Sequence, residues 1–242
     1  MAARKLFDPA SDKPFALSRS KVELYQDCPR CFYLDRRLGI ARPAGFPFNL
    51  NSAVDALLKT EFDQYRAQGA PHPLMVDAGI NAVPHAHPQL GDWRNNFRGV
   101  RTVHEQSNFE LFGAIDDLWR DLATNELIVV DYKATSKTAE VSIDADRQMA
   151  YKRQMEFYQW LLRRNGLTVS IQGWFVYCNG KKDRSMFNQR LEFEVSMLPY
   201  VGDDSWVEPV LVEIKRALDG GVIPPSVGAC EYCDYVAKAL AS

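Results

Sequence analysis

The chain has 242 residues, 46% hydrophobic and 25% charged, the balance of a globular protein large enough to bury a core without disulfides. No run of about 18 or more apolar residues is present, which excludes a membrane-spanning helix, and the opening residues lack the apolar stretch of a signal peptide, so a cytoplasmic protein is expected. A net charge of −2 does not advertise a nucleic-acid partner, although carboxylates gathered at one site would mask a local basic groove in that total.

Residues 1–16 carry few apolar anchors and read as a flexible arm. Helical periodicity begins at Ser18 or Ser20, either of which can cap a helix. It runs through Val22, Leu24 and Tyr25 to Phe32, Tyr33 and Leu34, with a break expected near Pro29. A Pro- and Gly-rich loop over 40–48 leads to a second helix, Asn51 to Gln68, with Val54, Leu57, Leu58, Phe62 and Tyr65 on one face. Residues 69–95 read as an irregular excursion.

Consecutive strands are expected over 99–106, 109–119 and 126–133. The last is a nearly continuous apolar run ending in charge, the pattern of a strand buried on both faces with functional residues at its end. A helix over 146–165 follows. A hairpin of 170–178 and 187–195, with Asn179 and Gly180 in its loop, comes next. A helix over 206–219 ends at Gly220 and Gly221. The expected organisation is one domain over 17–242: N-terminal helices (17–68), a core (97–200), and a C-terminal helix with a cysteine-bearing tail (201–242).

The chemistry concentrates in residues 113–158. Asp116 falls late in one predicted strand. Asp131 and Lys133 end the next, where alternation puts them on one face. If these strands pair, two carboxylates and an ammonium converge. That set suits phosphodiester hydrolysis. Carboxylates hold Mg²⁺ or Mn²⁺, hard cations that prefer oxygen. The metal stabilises phosphate charge, and the lysine orients or activates water and offsets developing charge. The backbone carbonyl of Tyr132 is a further oxygen ligand. Gln154 and Tyr158, four apart on the next helix, share a face and can reach the site or a nucleic-acid backbone.

Similar short motifs recur at Glu213 with Lys215, in a helix, and at Gly180 with Asp183, in a loop. Both read as surface. Asp117 faces away from Asp116 and reads as structural. His85 and His87 read as surface residues in a Pro-flanked loop, and His104 as an edge or core residue. Lys137, Arg147, Lys152 and Arg153 put positive charge near the site, and Lys181, Lys182 and Arg184 form a basic hairpin loop. These either follow a phosphate backbone or are solvated surface. Tyr151, Phe157, Trp160 and Leu161 read as core. Neither a nucleophile elbow nor a phosphate-binding Gly-Lys loop is present, which argues against a serine hydrolase and an ATPase motor.

Four of the five cysteines form two Cys-x-x-Cys pairs, Cys28 with Cys31 and Cys230 with Cys233. Together they offer four thiolates, a set that suits zinc or an iron–sulfur cluster. Either would clasp the two ends of the chain. Cys178 reads as core.

In order, Gly113-x-x-Asp116, Asp131-x-Lys133 and Gln154-x-x-x-Tyr158 resemble the RecB-type branch of the PD-(D/E)XK nuclease superfamily. The stretch from Leu17 to Leu34 and the cysteine-bearing tail are similar to the iron–sulfur nucleases of CRISPR adaptation and recombination. The resemblance spans roughly residues 17–235. It implies an α/β fold, restriction-endonuclease-like, with a mixed central sheet flanked by helices. It also implies a [4Fe–4S] cluster at the cysteines and Mg²⁺- or Mn²⁺-dependent cleavage of DNA, with single-stranded ends as substrate. Partner proteins of a repair or CRISPR-adaptation complex are expected to accompany it.

Two departures stand out. Asp55 occupies a position where the family often has histidine, as either a metal ligand or a solvated helix residue. The cysteines divide two and two, where relatives typically have one and three. The competing expectation is a catalytically inactive, metal-stapled DNA-binding or adaptor module on the same fold.

Overall fold

A computed structural model describes residues 5–45, 48–144, 148–228 and 230–241. The chain divides into two compact units. One comprises the described residues of Met1–Phe46, Arg101–Phe112 and Ser205–Ser242, the other those of Pro47–Val100 and Gly113–Asp204.

The first unit holds strands β1 (Phe15–Ser18), β3 (Val100–His104) and β4 (Phe109–Gly113), in the order β1-β4-β3 with β1 parallel to β4. It also holds helices α1 (Arg19–Asp27), α2 (Pro29–Arg37), α7 (Val207–Asp219) and α8 (Glu231–Ala241). Pro29 is the first residue of α2. Lacking an N–H, it ends α1 and starts α2 at an extended Cys28. Phe7 and Phe15 are buried, with ring centroids 5.3 Å apart, and both pack edge-on to Phe109. Within the expected loose arm, Phe7 and Phe15 are therefore anchored, two aromatics that a count of apolar residues undervalues.

The second unit is a mixed five-stranded sheet, β2-β5-β6-β7-β8, made of β2 (Ala82–Pro84), β5 (Asp117–Asp121), β6 (Leu127–Thr135), β7 (Gln172–Gly180) and β8 (Phe193–Val201). Only β6 and β7 run parallel, and the crossover between them is α6 (Met149–Arg164). Helix α3 (Asn49–Gln68) packs on β6, its end set by Gly69 at φ 64°. Leu58 and Phe62 of α3 are buried with Trp119, Ile128, Val130, Tyr132, Val176 and Cys178. Leu57, expected on this buried face, is exposed. Short helices α4 (Pro73–Asp77) and α5 (Leu90–Trp93) complete the unit.

Three other expectations are corrected. The predicted strand 109–119 is two strands in two sheets, interrupted at residues 114–116. Asp116 thus precedes β5 instead of ending a strand. In the hairpin, Asn179 and Gly180 lie inside β7, paired with Glu194 and Phe193. Neither residue takes the positive φ that an Asn-Gly hairpin turn requires, and the Asn179 amide exchanges two hydrogen bonds with the Lys137 backbone, at 2.8 and 3.1 Å. Part of the 69–95 excursion also joins the sheet, with β2 pairing antiparallel to β5. Among the described residues, no helix is long and apolar enough to cross a membrane.

Candidate active site and cysteine cage

The candidate active site lies in the second unit, where β6 outruns β5. The first antiparallel pair is Asp117 with Val130. Two residues further along β6, the Tyr132 N–H finds no β5 residue opposite. It donates to Asp116 Oδ2 at 3.0 Å, so the carboxylate continues the ladder. In an extended strand the N–H and C=O of one residue lie along the same edge. The Tyr132 carbonyl is therefore on the Asp116 side.

Asp131 and Lys133 share the opposite parity, and Asp131 is fully buried. The Lys133 ammonium is ion-paired with Asp131 Oδ2. Gln154 bridges this pair: its Nε2 donates to Asp131 Oδ1 at 2.9 Å, and its Oε1 accepts from Lys133 Nζ at 3.4 Å. The same Nε2 lies 3.2 Å from the Tyr158 hydroxyl, one turn along α6. Burial alone would lower the Lys133 pKa, but the carboxylates of Asp131 and then Asp116 raise it above the usual lysine value. Lys133 is thus an ammonium at neutral pH, able to donate and to stabilise charge.

Asp55 also reaches the site, through a residue that sequence reasoning missed. Lys59, one turn along α3, donates to Asp55 Oδ2 at 2.8 Å and to Asp116 Oδ1 at 3.0 Å. Burial and the neighbouring Asp116 charge raise the Asp55 pKa. Lys59 is itself raised, the carboxylates outweighing its desolvation. The signal for it was available: Asp55 and Lys59 stand at i and i+4 in a predicted helix.

Behind these residues sits a buried ionic cluster. Asp117, fully buried, accepts from Arg66, from Arg94 at 2.9 Å and from the Tyr132 hydroxyl at 2.7 Å. Arg94 also binds Asp63 at 2.7 Å and donates through Nε to the Asp116 backbone carbonyl at 2.8 Å. The Ile115 N–H bonds Trp93 O at 3.1 Å. Residues 93–94 therefore clamp 115–116, and Asp117 has the structural setting expected of it. Arg94 lies in the 69–95 stretch, where no sequence pattern marked it.

Gly99 tightens the same clamp. At φ +61°, a Cβ built on it would stand 2.5 Å from the Gly113 carbonyl oxygen. Gly99→Ala is expected to cost roughly 1–3 kcal/mol, and to displace the 113–116 segment enough to depress activity beyond what the loss of folded protein explains. Urea unfolding alongside specific activity per folded molecule checks this.

Other expectations sort clearly. Phe157, Trp160 and Leu161 are buried. Tyr151 is not core: it is part-exposed, with Lys133 Nζ 4.5 Å from its ring centroid. Together with Lys137, Gln148 and Tyr177 it lines a cavity of about 260 Å³ beside Lys133. In the hairpin, Lys181 is ion-paired with Glu194 and Arg184 with Glu192, which neutralises most of its expected basic character. Arg147 lies outside the described residues. His87 stacks on Trp93 at 4.1 Å, and His104 bonds Ser107 at 2.8 Å and Glu208 at 3.2 Å. Cys178 is core, its thiol pushed up to about 11 chiefly by burial.

The cysteine cage is in the first unit. All four Sγ atoms of Cys28, Cys31, Cys230 and Cys233 lie within 4.8 Å of one another. Among the described residues, the site carboxylates do not gather this closely; Lys59 and Lys133 stand against them as internal counter-cations. Asp55, Asp116, Asp131 and the Tyr132 carbonyl offer oxygen, the donor type that hard divalent cations prefer. The thiolate set fits a structural metal or cluster.

No curated protein matches the chain. A solved structure titled "Crystal structure of SSO0001" aligns over 94% of this chain and 86% of its own, at 14% identity and a TM-score of 0.42. A profile of the PD-(D/E)XK nuclease superfamily matches residues 16–237. With that match spanning nearly all of the chain and both of its units, the protein belongs to the PD-(D/E)XK nuclease superfamily.

Proposed function

We propose that the protein is a divalent-metal-dependent DNA nuclease of the RecB-type branch, acting as an exonuclease on single-stranded ends. The observation that carries this reading is the joining of Asp116, Asp131, Lys133 and Gln154 around the end of β6, where it extends past β5. The family match supports treating residues 17–242 as one nuclease domain. Repair, recombination or CRISPR adaptation in the cytoplasm is the setting the resemblance suggests.

On this reading Asp116, Asp131 and the Tyr132 carbonyl hold Mg²⁺ or Mn²⁺, with Asp55 as an additional oxygen donor. The bound ion supplies Lewis-acid stabilisation of phosphate charge. Lys133, fixed by Asp131 and Gln154, orients the attacking water and stabilises charge on the phosphate. Tyr158 holds Gln154 in place. The cavity beside Lys133, with Lys137 and Tyr151 on its walls, offers a cation and a ring to the neighbouring nucleotide.

A second reading is a non-cleaving DNA-binding or adaptor module. Lys59 favours it, because an ammonium already neutralises two of the carboxylates a metal needs.

The deciding experiment offers the wild type labelled linear single-stranded, circular single-stranded and linear duplex DNA with Mg²⁺ or Mn²⁺. Degradation of the linear single strand with the circle spared is the expected result. Cutting of the circle would replace the exonuclease reading by an endonuclease one. Binding without cutting of any form would establish the adaptor.

A further inference from the structure

Both cysteine pairs occupy the same positions on a helix. Cys28 precedes the first residue of α2 and Cys31 is its third; Cys230 precedes the first residue of α8 and Cys233 is its third. The backbone repeats too. The carbonyl of each leading cysteine accepts from the residue four further on, Phe32 and Asp234, at 3.0 Å in both cases. Each thiol pair thus sits at a helix N-terminus, where unpaired N–H groups and the helix dipole stabilise thiolates. Arg42 adds a full charge, its Nη2 standing 3.5 Å from Cys230 Sγ and its guanidinium stacked 4.6 Å from the Tyr232 ring centroid.

The size of the cage selects its occupant. The Sγ–Sγ separations are 3.8 Å for Cys28 to Cys233, 3.6 Å for Cys31 to Cys230 and 3.6 Å for Cys31 to Cys233. The remaining pairs stay within 4.8 Å. A tetrahedral ion with Zn–S bonds near 2.3 Å needs sulfurs about 3.8 Å apart. A [4Fe–4S] cluster places an iron between each thiolate and the centre, spreading the four sulfurs to roughly 6 Å. The observed cage is too small for the cluster that the sequence resemblance implies.

We propose that Cys28, Cys31, Cys230 and Cys233 hold a single tetrahedral zinc ion and no iron–sulfur cluster. The inference rests on these four residues being a metal cage, and it is independent of whether the acidic site cleaves DNA. Zinc has no redox chemistry and four thiolates leave it no open position, so its role is to tie the segment around α1 and α2 to the C-terminal helix.

The test is elemental analysis of the full-length wild type, purified without oxygen from cells supplied with both iron and zinc. About one zinc per chain is expected, without acid-labile sulfide and without absorption near 400 nm, with zinc-edge X-ray absorption giving sulfur neighbours at about 2.3 Å. Cys230→Ser with Cys233→Ser should lose the zinc, and Cys178→Ser, outside the cage, should keep it. A brown protein with roughly four irons and four sulfides per chain would overturn the proposal. So would a metal-free wild type whose melting temperature matches that of the double variant. Cleavage activity has no bearing on either result, so failure here is distinct from failure of the nuclease reading.

Discussion

Lys133→Ala is expected to lower metal-supported DNA cleavage by roughly 10²–10³-fold, the cost of removing one preorganised donor from developing transition-state charge. The effect should fall on kcat more than on DNA affinity, because the ammonium is committed to Asp131 and Gln154 at the centre of the site. The substitution also strips a fully buried carboxylate of its counter-cation. Folding must therefore be followed alongside activity, by thermal melts with and without Mg²⁺. A divalent ion should recover part of any lost stability by taking over the neutralisation of Asp131 and Asp116. Single-turnover cleavage normalised to folded protein is the measurement. A variant that folds and retains near-wild-type kcat would remove Lys133 from the chemistry.

Asp117→Ala should produce the largest loss of stability. The carboxylate is fully buried and is the common acceptor for Arg66, Arg94 and the Tyr132 hydroxyl. Removing it leaves the Arg66 and Arg94 guanidiniums sharing Asp63 as their remaining carboxylate in a largely desolvated region, which costs about 3–5 kcal/mol. The Tyr132 hydroxyl, held well above its ordinary pKa by burial and by Asp117, loses its acceptor as well. Urea denaturation of wild type and Asp117→Ala checks this. Activity should fall too, because Arg94 fixes the backbone of Asp116. A shift under about 1 kcal/mol would mean the cluster relaxes or hydrates, and that the clamp on Asp116 does not depend on it.

The acidic site was readable because each of its main parts is local. Strand alternation placed Asp131 and Lys133 on one face, and helical spacing paired Gln154 with Tyr158. Both rules survive any tertiary arrangement. Asp116 was found by motif but misplaced by secondary structure, since nothing in residues 109–119 marks where one strand ends and a second begins. That division depends on pairing partners, β1 for one half and β6 for the other. The hairpin register failed for a related reason. An Asn-Gly pair marks a hairpin turn only where both residues take positive φ, and Asn179 and Gly180 instead continue the β7 ladder opposite Glu194 and Phe193. Lys59 was within reach of an i,i+4 argument, whereas Arg94 and Gly99 act through contacts remote in sequence. The cysteines are legible as a four-ligand set, but the size of their cage is set by two helix N-termini that meet only in the fold.

The proposed function makes the residues at the end of β6 a metal-dependent nuclease centre. Its most direct test is release of end label from linear single-stranded DNA by the wild type. The reaction is run with Mg²⁺ or Mn²⁺, stopped by chelation and restarted by added metal. Cleavage is expected to follow the metal through both steps and to be absent in Asp131→Asn. Cleavage that continues in excess chelator, or that Asp131→Asn performs as well as the wild type, would contradict it.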